Sequence, residues 1–109
     1  FLDSVPEQFS AEALAIWAAW KENRLIGTLA MRDGCHICLL FVHPDYHRQG
    51  FARALVQTAE KFARENGQEQ LTVNSSPYAV SVYHRLGFSD LTPEQTVDGI
   101  RFTPMRRPL

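Results

Sequence analysis

Between Ala15 and Val42 the apolar residues come in short runs cut by polar pairs: AIWAAWK (15–21), LIGTLAMR (25–32) and HICLLFV (36–42). Runs of this length bounded by turn residues predict strands. Glu22–Asn23 reads as a turn, and Asp33–Gly34 is a strong hairpin signal, so the runs form antiparallel neighbours. The third run, His36–Val42, is nearly all apolar, as expected of a central strand covered on both faces. Upstream, FLDSVPEQFSAEAL (1–14) is broken by Pro6. It reads as the end of a helix plus a connection, with Ser10 as a cap for a short helical turn.

After Pro44 the period changes. Between Gly50 and Asn66 the apolar residues fall at 51, 52, 55, 56, 59, 62 and 63, the stripe of an amphipathic helix. Gly67 suits the residue just past its end. QLTVN (70–74) predicts a short strand, so strand, helix and strand read as a right-handed parallel crossover. Ser76 then Pro77 is an N-cap followed by proline at the first helical position. That helix is predicted to run to about Leu86 and stop at Gly87, with Phe88 starting the next strand. Asp98–Gly99 predicts a hairpin between roughly 91–97 and 100–105, leaving Arg106 and Arg107 in a solvated tail. No internal repeat or low-complexity segment appears.

The 109 residues suit one domain, 1–109, with one core. An apolar share of 45% is that of a globular chain, and a net charge of -1 gives no electrostatic case for nucleic acid or a membrane surface. No apolar run approaches the roughly 20 residues of a membrane span, and no signal peptide is visible. The first residue is Phe1 rather than Met, so a native N-terminus is expected to have been lost. Cys35 and Cys38 form a C-x-x-C, a spacing that invites redox or metal readings. In a strand, residues three apart point to opposite faces, and no second ligand pair with zinc spacing is present. Free thiols and no metal are therefore expected, which suits a reducing cytoplasm.

The candidate chemistry lies in FVHPDYHRQGFARAL (41–55), where a strand passes through a polar loop into a helix. Such a junction offers unpaired N–H groups at the positive end of a helix dipole and binds phosphate. Gly50 admits close backbone approach, Ala52 is nearly as small, and Arg48 and Arg53 add positive charge. Neither GxxxxGK[ST] nor a GxGxxG after a strand is present.

The pattern [Q/R]-x-x-G-x-[G/A], filled by His47, Arg48, Gln49, Gly50, Phe51 and Ala52, resembles the acetyl-CoA pyrophosphate loop of the GCN5-related N-acetyltransferases. His47 stands where that family usually has Gln or Arg. YAVSVYHRLGF (78–88) is similar to the family's A-x-x-x-Y-x-x-x-G-F segment, with Ala79, Tyr83, Gly87 and Phe88 in register. Where the family often has Asn, this chain has Ser76, with Asn74 two residues earlier. With GIRFTPM (99–105), the resemblance covers about 15–105.

The resemblance implies an α/β fold: a mixed sheet with splayed parallel strands around a crossover helix, here without the usual first strand and first helix. It implies that Leu40 N–H faces the acetyl oxygen and that Phe41 and Val42 pair with the pantetheine arm. Residues 47–53 then hold the pyrophosphate, Asn74 contributes to the cofactor site, and Tyr83 serves as acid for the leaving thiol. His36 is the candidate base. Some family members carry a carboxylate at its register, a pKa near 6.5 suits neutral pH, and four-residue spacing puts it on the same strand face as Leu40. His43, His47 and His84 read as surface residues.

The function implied is acetyl-CoA-dependent N-acetyl transfer to a primary amine of a small molecule or peptide, with a homodimer left open. A non-catalytic acyl-CoA-binding regulatory module is the alternative, because the phosphate loop would look the same. A fragment incompetent without its N-terminal strand is the third reading. Nothing in 1–21 points to an acceptor.

Overall fold

A computed structural model describes residues 7–9 and 14–109. The strands are β1 (Glu7–Phe9), β2 (Leu14–Lys21), β3 (Arg24–Arg32) and β4 (His36–Val42), then β5 (Gln70–Ser75), β6 (Ser89–Asp90), β7 (Gln95–Val97) and β8 (Ile100–Pro108). Helix α1 (Phe51–Glu65) joins β4 to β5, and the shorter α2 (Val80–Arg85) joins β5 to β6. The sheet runs β1-β2-β3-β4-β5-β8-β6, with β7 paired to β8. Every pairing is antiparallel except β4–β5. Among the described residues no helix is long and apolar enough to cross a membrane.

Three tight turns account for the meander. Glu22–Asn23, Asp33–Gly34 and Asp98–Gly99 each place two successive residues at positive φ. That geometry matches the twist of the strands they join. The stripe on α1 buries Leu55, Val56, Ala59 and Ala63. It packs against one face of the sheet, where Trp17, Leu29, Met31, Ile37, Leu71, Val73 and Met105 are buried. Trp17 and Phe62 meet edge to face at 5.2 Å.

Strand β4 departs from its expected environment in two ways. Leu39 pairs with Ala30 and Ile37 with Met31, so Cys38 is an extra residue without a partner on β3. A bulge of this kind bends the strand and re-aims its side chains. On the other edge, β4 keeps register with β5 only at His36–Thr72 and Ile37–Val73, and beyond that point the two strands part. β4 is therefore not covered on both faces: Leu39 and Phe41 remain 49% and 47% exposed on the side away from α1.

Other local expectations also change. Residues 7–9 form a strand against β2 rather than the end of a helix, while Ser10 lies outside the described residues. Helix α2 begins at Val80 rather than Pro77, because Ala79 N–H bonds to Ser76 O in a turn ahead of it. Strand β8 continues through Arg106 and Arg107, pairing them with Thr72 and Leu71. These arginines are thus part of the sheet, not of a tail. Cys35 and Cys38 carry free thiols, but Cys35 sits in the turn before β4 and Cys38 in the bulge.

Candidate active site

A groove of about 520 Å³ lies between the end of β4, the start of α1 and helix α2. Its base is the loop 43–50. His47 Nε2–H donates to Val42 O at 2.7 Å, so the ring ties the loop back to the strand it leaves. Because a carbonyl only accepts, this bond fixes the proton on Nε2. Arg48 and Gly50 both adopt positive φ, 64° and 85°. The strain at Arg48 falls where the chain turns to present its amides. A Cβ on Gly50 would meet no protein atom within 4 Å. The glycine is therefore required by its backbone angle and by the space it leaves in the groove, not by internal packing.

The first backbone bond of α1 runs from Ala54 N–H to Gly50 O. The amides of Phe51, Ala52 and Arg53 precede it and have no intrahelical acceptor. They open at the positive end of a 15-residue helix dipole. Arg48, Gly50, Phe51, Ala52 and Arg53 all line the groove. Arg53 Nη2 also donates to Arg85 O at 3.2 Å, so its guanidinium spans from the first turn of α1 to the last turn of α2. A pyrophosphate fits this donor set: free amides, two guanidinium groups and a dipole end.

The backbone of β4 supplies the second element. His43 N–H bonds to Ile26 O at 2.6 Å. Antiparallel pairing alternates, so with Phe41 opposite Thr28 and Leu40 opposite Leu29, Phe41 turns its amide and carbonyl toward β3. Leu40 and Val42 turn theirs toward the gap left by β5. Leu40 N–H is thereby aimed into the gap, whereas Phe41 is committed to β3 and its side chain faces away from the groove. The expected pairing of Phe41 with the pantetheine arm does not fit this register.

Together with these geometries, the sequence matches the profile of the acetyltransferase (GNAT) domain over residues 2–109. The chain belongs to the GCN5-related N-acetyltransferase family. It is 28% identical over 98 aligned positions to N-acetyltransferase 8 of Homo sapiens, covering 79% of this chain and 43% of that protein. A GCN5-related N-acetyltransferase of Rhodopseudomonas palustris superposes with a TM-score of 0.79 at 25% identity, covering 92% of this chain and 63% of that one. A Bacillus anthracis protein assigned to the streptothricin acetyltransferases, solved with acetyl coenzyme A, superposes with a TM-score of 0.77 at 16% identity. That alignment covers 88% of this chain and 62% of the neighbour. The chain spans less than half the length of the curated relatives it matches.

In this GNAT chain Tyr83 lies on the groove wall, 6% exposed, with its ring edge-on to Phe88 at 5.3 Å. Burial pushes its phenol up to about 12, so it stays protonated at neutral pH. Ala79, Val82 and Leu86 form the apolar wall around it. Sequence reasoning did not assign these three to the site, although their spacing on one helix face would have found them. Tyr46 was also missed. It lines the groove and meets Phe51 edge to face at 5.9 Å, with Lys21 Nζ 5.7 Å from its ring centre.

Besides Phe41, three expected site residues lie off the groove lining. Gln49 is exposed and donates to Asp45 O. Asn74 is exposed and alternates with the buried Val73 and Ser75, so it points to the far face. His36 is also on the far face, because the bulge at Cys38 inverts the alternation between it and Leu40. It lies in the short stretch where β4 and β5 still pair, opposite Thr72, with Nδ1 2.8 Å from Thr72 Oγ1. Burial and then the Arg32 charge lower its pKa, with Asp33 partly opposing. Among the described residues no cluster of three or more His, Cys, Asp or Glu is placed to hold a metal.

Proposed function

We propose that this chain transfers an acetyl group from acetyl-CoA directly to a primary amine. The observation that carries the reading is that one groove is lined at once by Phe51, Ala52 and Arg53 with their free amides, by Leu40 beside the strand gap and by Tyr83. The amides suit the pyrophosphate, the Tyr83 hydroxyl the sulfur at the far end of the pantetheine arm, and the Leu40 N–H the acetyl oxygen just beyond that sulfur.

The amides of Phe51, Ala52 and Arg53 hold the pyrophosphate, and Arg48 adds charge. Leu40 N–H donates to the thioester oxygen and stabilises the negative charge that grows there during attack. Tyr83 donates a hydrogen bond to the sulfur as it leaves. A thiol has a pKa of about 8.5, well below a phenol at about 12, so full proton transfer from Tyr83 would be uphill. Its role is therefore to stabilise thiolate character rather than to surrender the proton completely.

His36 receives the amine proton from an acceptor entering on the far face of the sheet. His36 Nδ1 and Thr72 Oγ1 share a hydrogen bond of 2.8 Å, and in the tautomer that carries its proton on Nδ1 the lone pair on Nε2 accepts the amine proton. Its lowered pKa keeps it neutral at pH 7. Titration with acetyl-CoA and CoA, followed by a screen of amine acceptors for CoA release, tests the reading. Tight binding without turnover on any amine would instead support an acyl-CoA-binding module.

A further inference from the structure

We infer that Arg107, held by Glu60, is a positioning residue for Tyr83; this rests on the reading of Tyr83 as the donor to the sulfur. Helix α2 has only six residues, too few to hold its own place in the fold. The position of Tyr83 is therefore set by what its helix ends on. Leu86 N–H and Phe88 N–H both donate to the backbone carbonyl of Tyr83, at 3.0 and 2.9 Å. Any movement of the Gly87 turn between them is thus felt directly at Tyr83.

Arg107 lies against that turn. A Cβ placed on Gly87 would sit 3.1 Å from Arg107 Nε and 3.5 Å from its Cδ. The absent side chain is what lets the arginine close on the backbone, and Gly87 at φ 94° is a position glycine already favours. Beyond the turn, Arg107 Nη1 donates to Glu60 Oε1 at 2.7 Å, while Arg64 Nη2 takes Glu60 Oε2 at 2.6 Å. The Glu60 and Arg107 side chains are only 12% and 25% exposed, so this pair is shielded in a way surface ion pairs are not. Opposite the buried Leu71, Arg107 stands on the α1 side of the sheet.

The pair joins the middle of α1, whose first turn carries the phosphate-binding amides, to the turn that fixes Tyr83. The flat guanidinium suits both tasks: it packs against the glycine backbone and donates to the carboxylate, whereas an ammonium provides only a point charge.

The test is a kinetic cycle with Arg107→Gln, Tyr83→Phe and the double variant, alongside Arg107→Lys and Glu60→Gln. Arg107→Gln is expected to lower kcat about tenfold with the acetyl-CoA Kd unchanged. In the Tyr83→Phe background it should cost nothing further, because both changes act through the same hydroxyl. Arg107→Lys should recover part of the rate, and Glu60→Gln should lose part of it. Amide exchange at Leu86 and Phe88 should rise in Arg107→Gln while that of α1 stays as in wild type.

Full additivity with Tyr83→Phe, or unchanged kcat and exchange in Arg107→Gln, overturns the proposal. If Tyr83→Phe alone keeps wild-type kcat, the sulfur-donor reading of Tyr83 fails. The exchange rates at Leu86 and Phe88 then still decide whether Arg107 sets this turn.

Discussion

His36 and Leu40, four residues apart on β4, face opposite sides of the sheet because Cys38 stands between them without a partner on β3. In the proposed reaction His36 would act from the far face, while the Leu40 N–H lies in the plane of the sheet and points into the gap. His36→Gln is expected to lower kcat/KM about 10²-fold and to remove the acid limb of the pH–rate profile. In wild type that limb should have its midpoint below 6.5, since burial and Arg32 hold the pKa down. The same shift acts on stability. The unfolded chain takes up a proton first as pH falls past about 6.5, so the contribution is present above that pH and lost as pH falls through the folded value. Tm should drop more between pH 7 and 5 in wild type than in His36→Gln. An unchanged rate profile would remove His36 from the reaction.

Gly50→Glu should abolish acetyl-CoA binding by isothermal calorimetry. It sets a carboxylate where the free amides gather and puts a Cβ at φ 85°. Because no protein atom lies within 4 Å of that Cβ, the fold should survive, with a cost of about 1–2 kcal/mol from the backbone angle. Wild-type affinity in a folded Gly50→Glu protein would refute the phosphate-loop reading.

Tyr83→Phe removes only the hydroxyl and keeps the ring against Phe88. Steady-state kinetics should show kcat lower by about 10²-fold with acetyl-CoA affinity nearly unchanged, as for an interaction made mainly in the transition state. The loss should shrink for acetyl donors whose leaving thiol is more acidic. A wild-type kcat would return Tyr83 to a packing role.

Gly27→Ala should cost about 1–3 kcal/mol in chemical denaturation. The added Cβ would sit 2.9 Å from Phe41 O and 3.3 Å from Leu55 Cδ1. The carbonyl belongs to the β3–β4 pairing beside the gap, so acetyl-CoA affinity should fall with stability. A neutral substitution would show that β4 has room to shift.

Much of the meander was legible because its signals are local. The hairpin turns at 22–23, 33–34 and 98–99 each need two residues at positive φ, and Asn, Asp and Gly supply all of them but Glu22. Helix α1 was legible from its stripe, and its start from Gly50. The site was legible only in part. Phosphate-loop residues and Tyr83 announce themselves by motif spacing, whereas the apolar wall at 79, 82 and 86 shows only as a spacing on one helix face, with no reactive group to mark it as part of a site. The arginines at 106 and 107 look like a terminal charge pair because their partners, Gln70 and Glu60, are distant in sequence.

The amino-acid sequence by itself determined most of the strands and helix α1, where the chain turns, and that a glycine-bearing helix start follows the strand at 36–42. Each of these depends on neighbours within a few residues: a period, a turn pair, a missing Cβ. Only the tertiary structure decided which amides of β4 are free, which face His36 occupies, and that Arg107 closes on Gly87. These depend on register between strands that are far apart in the chain, where one unpartnered residue inverts the side-chain order without leaving any mark in the hydrophobic pattern.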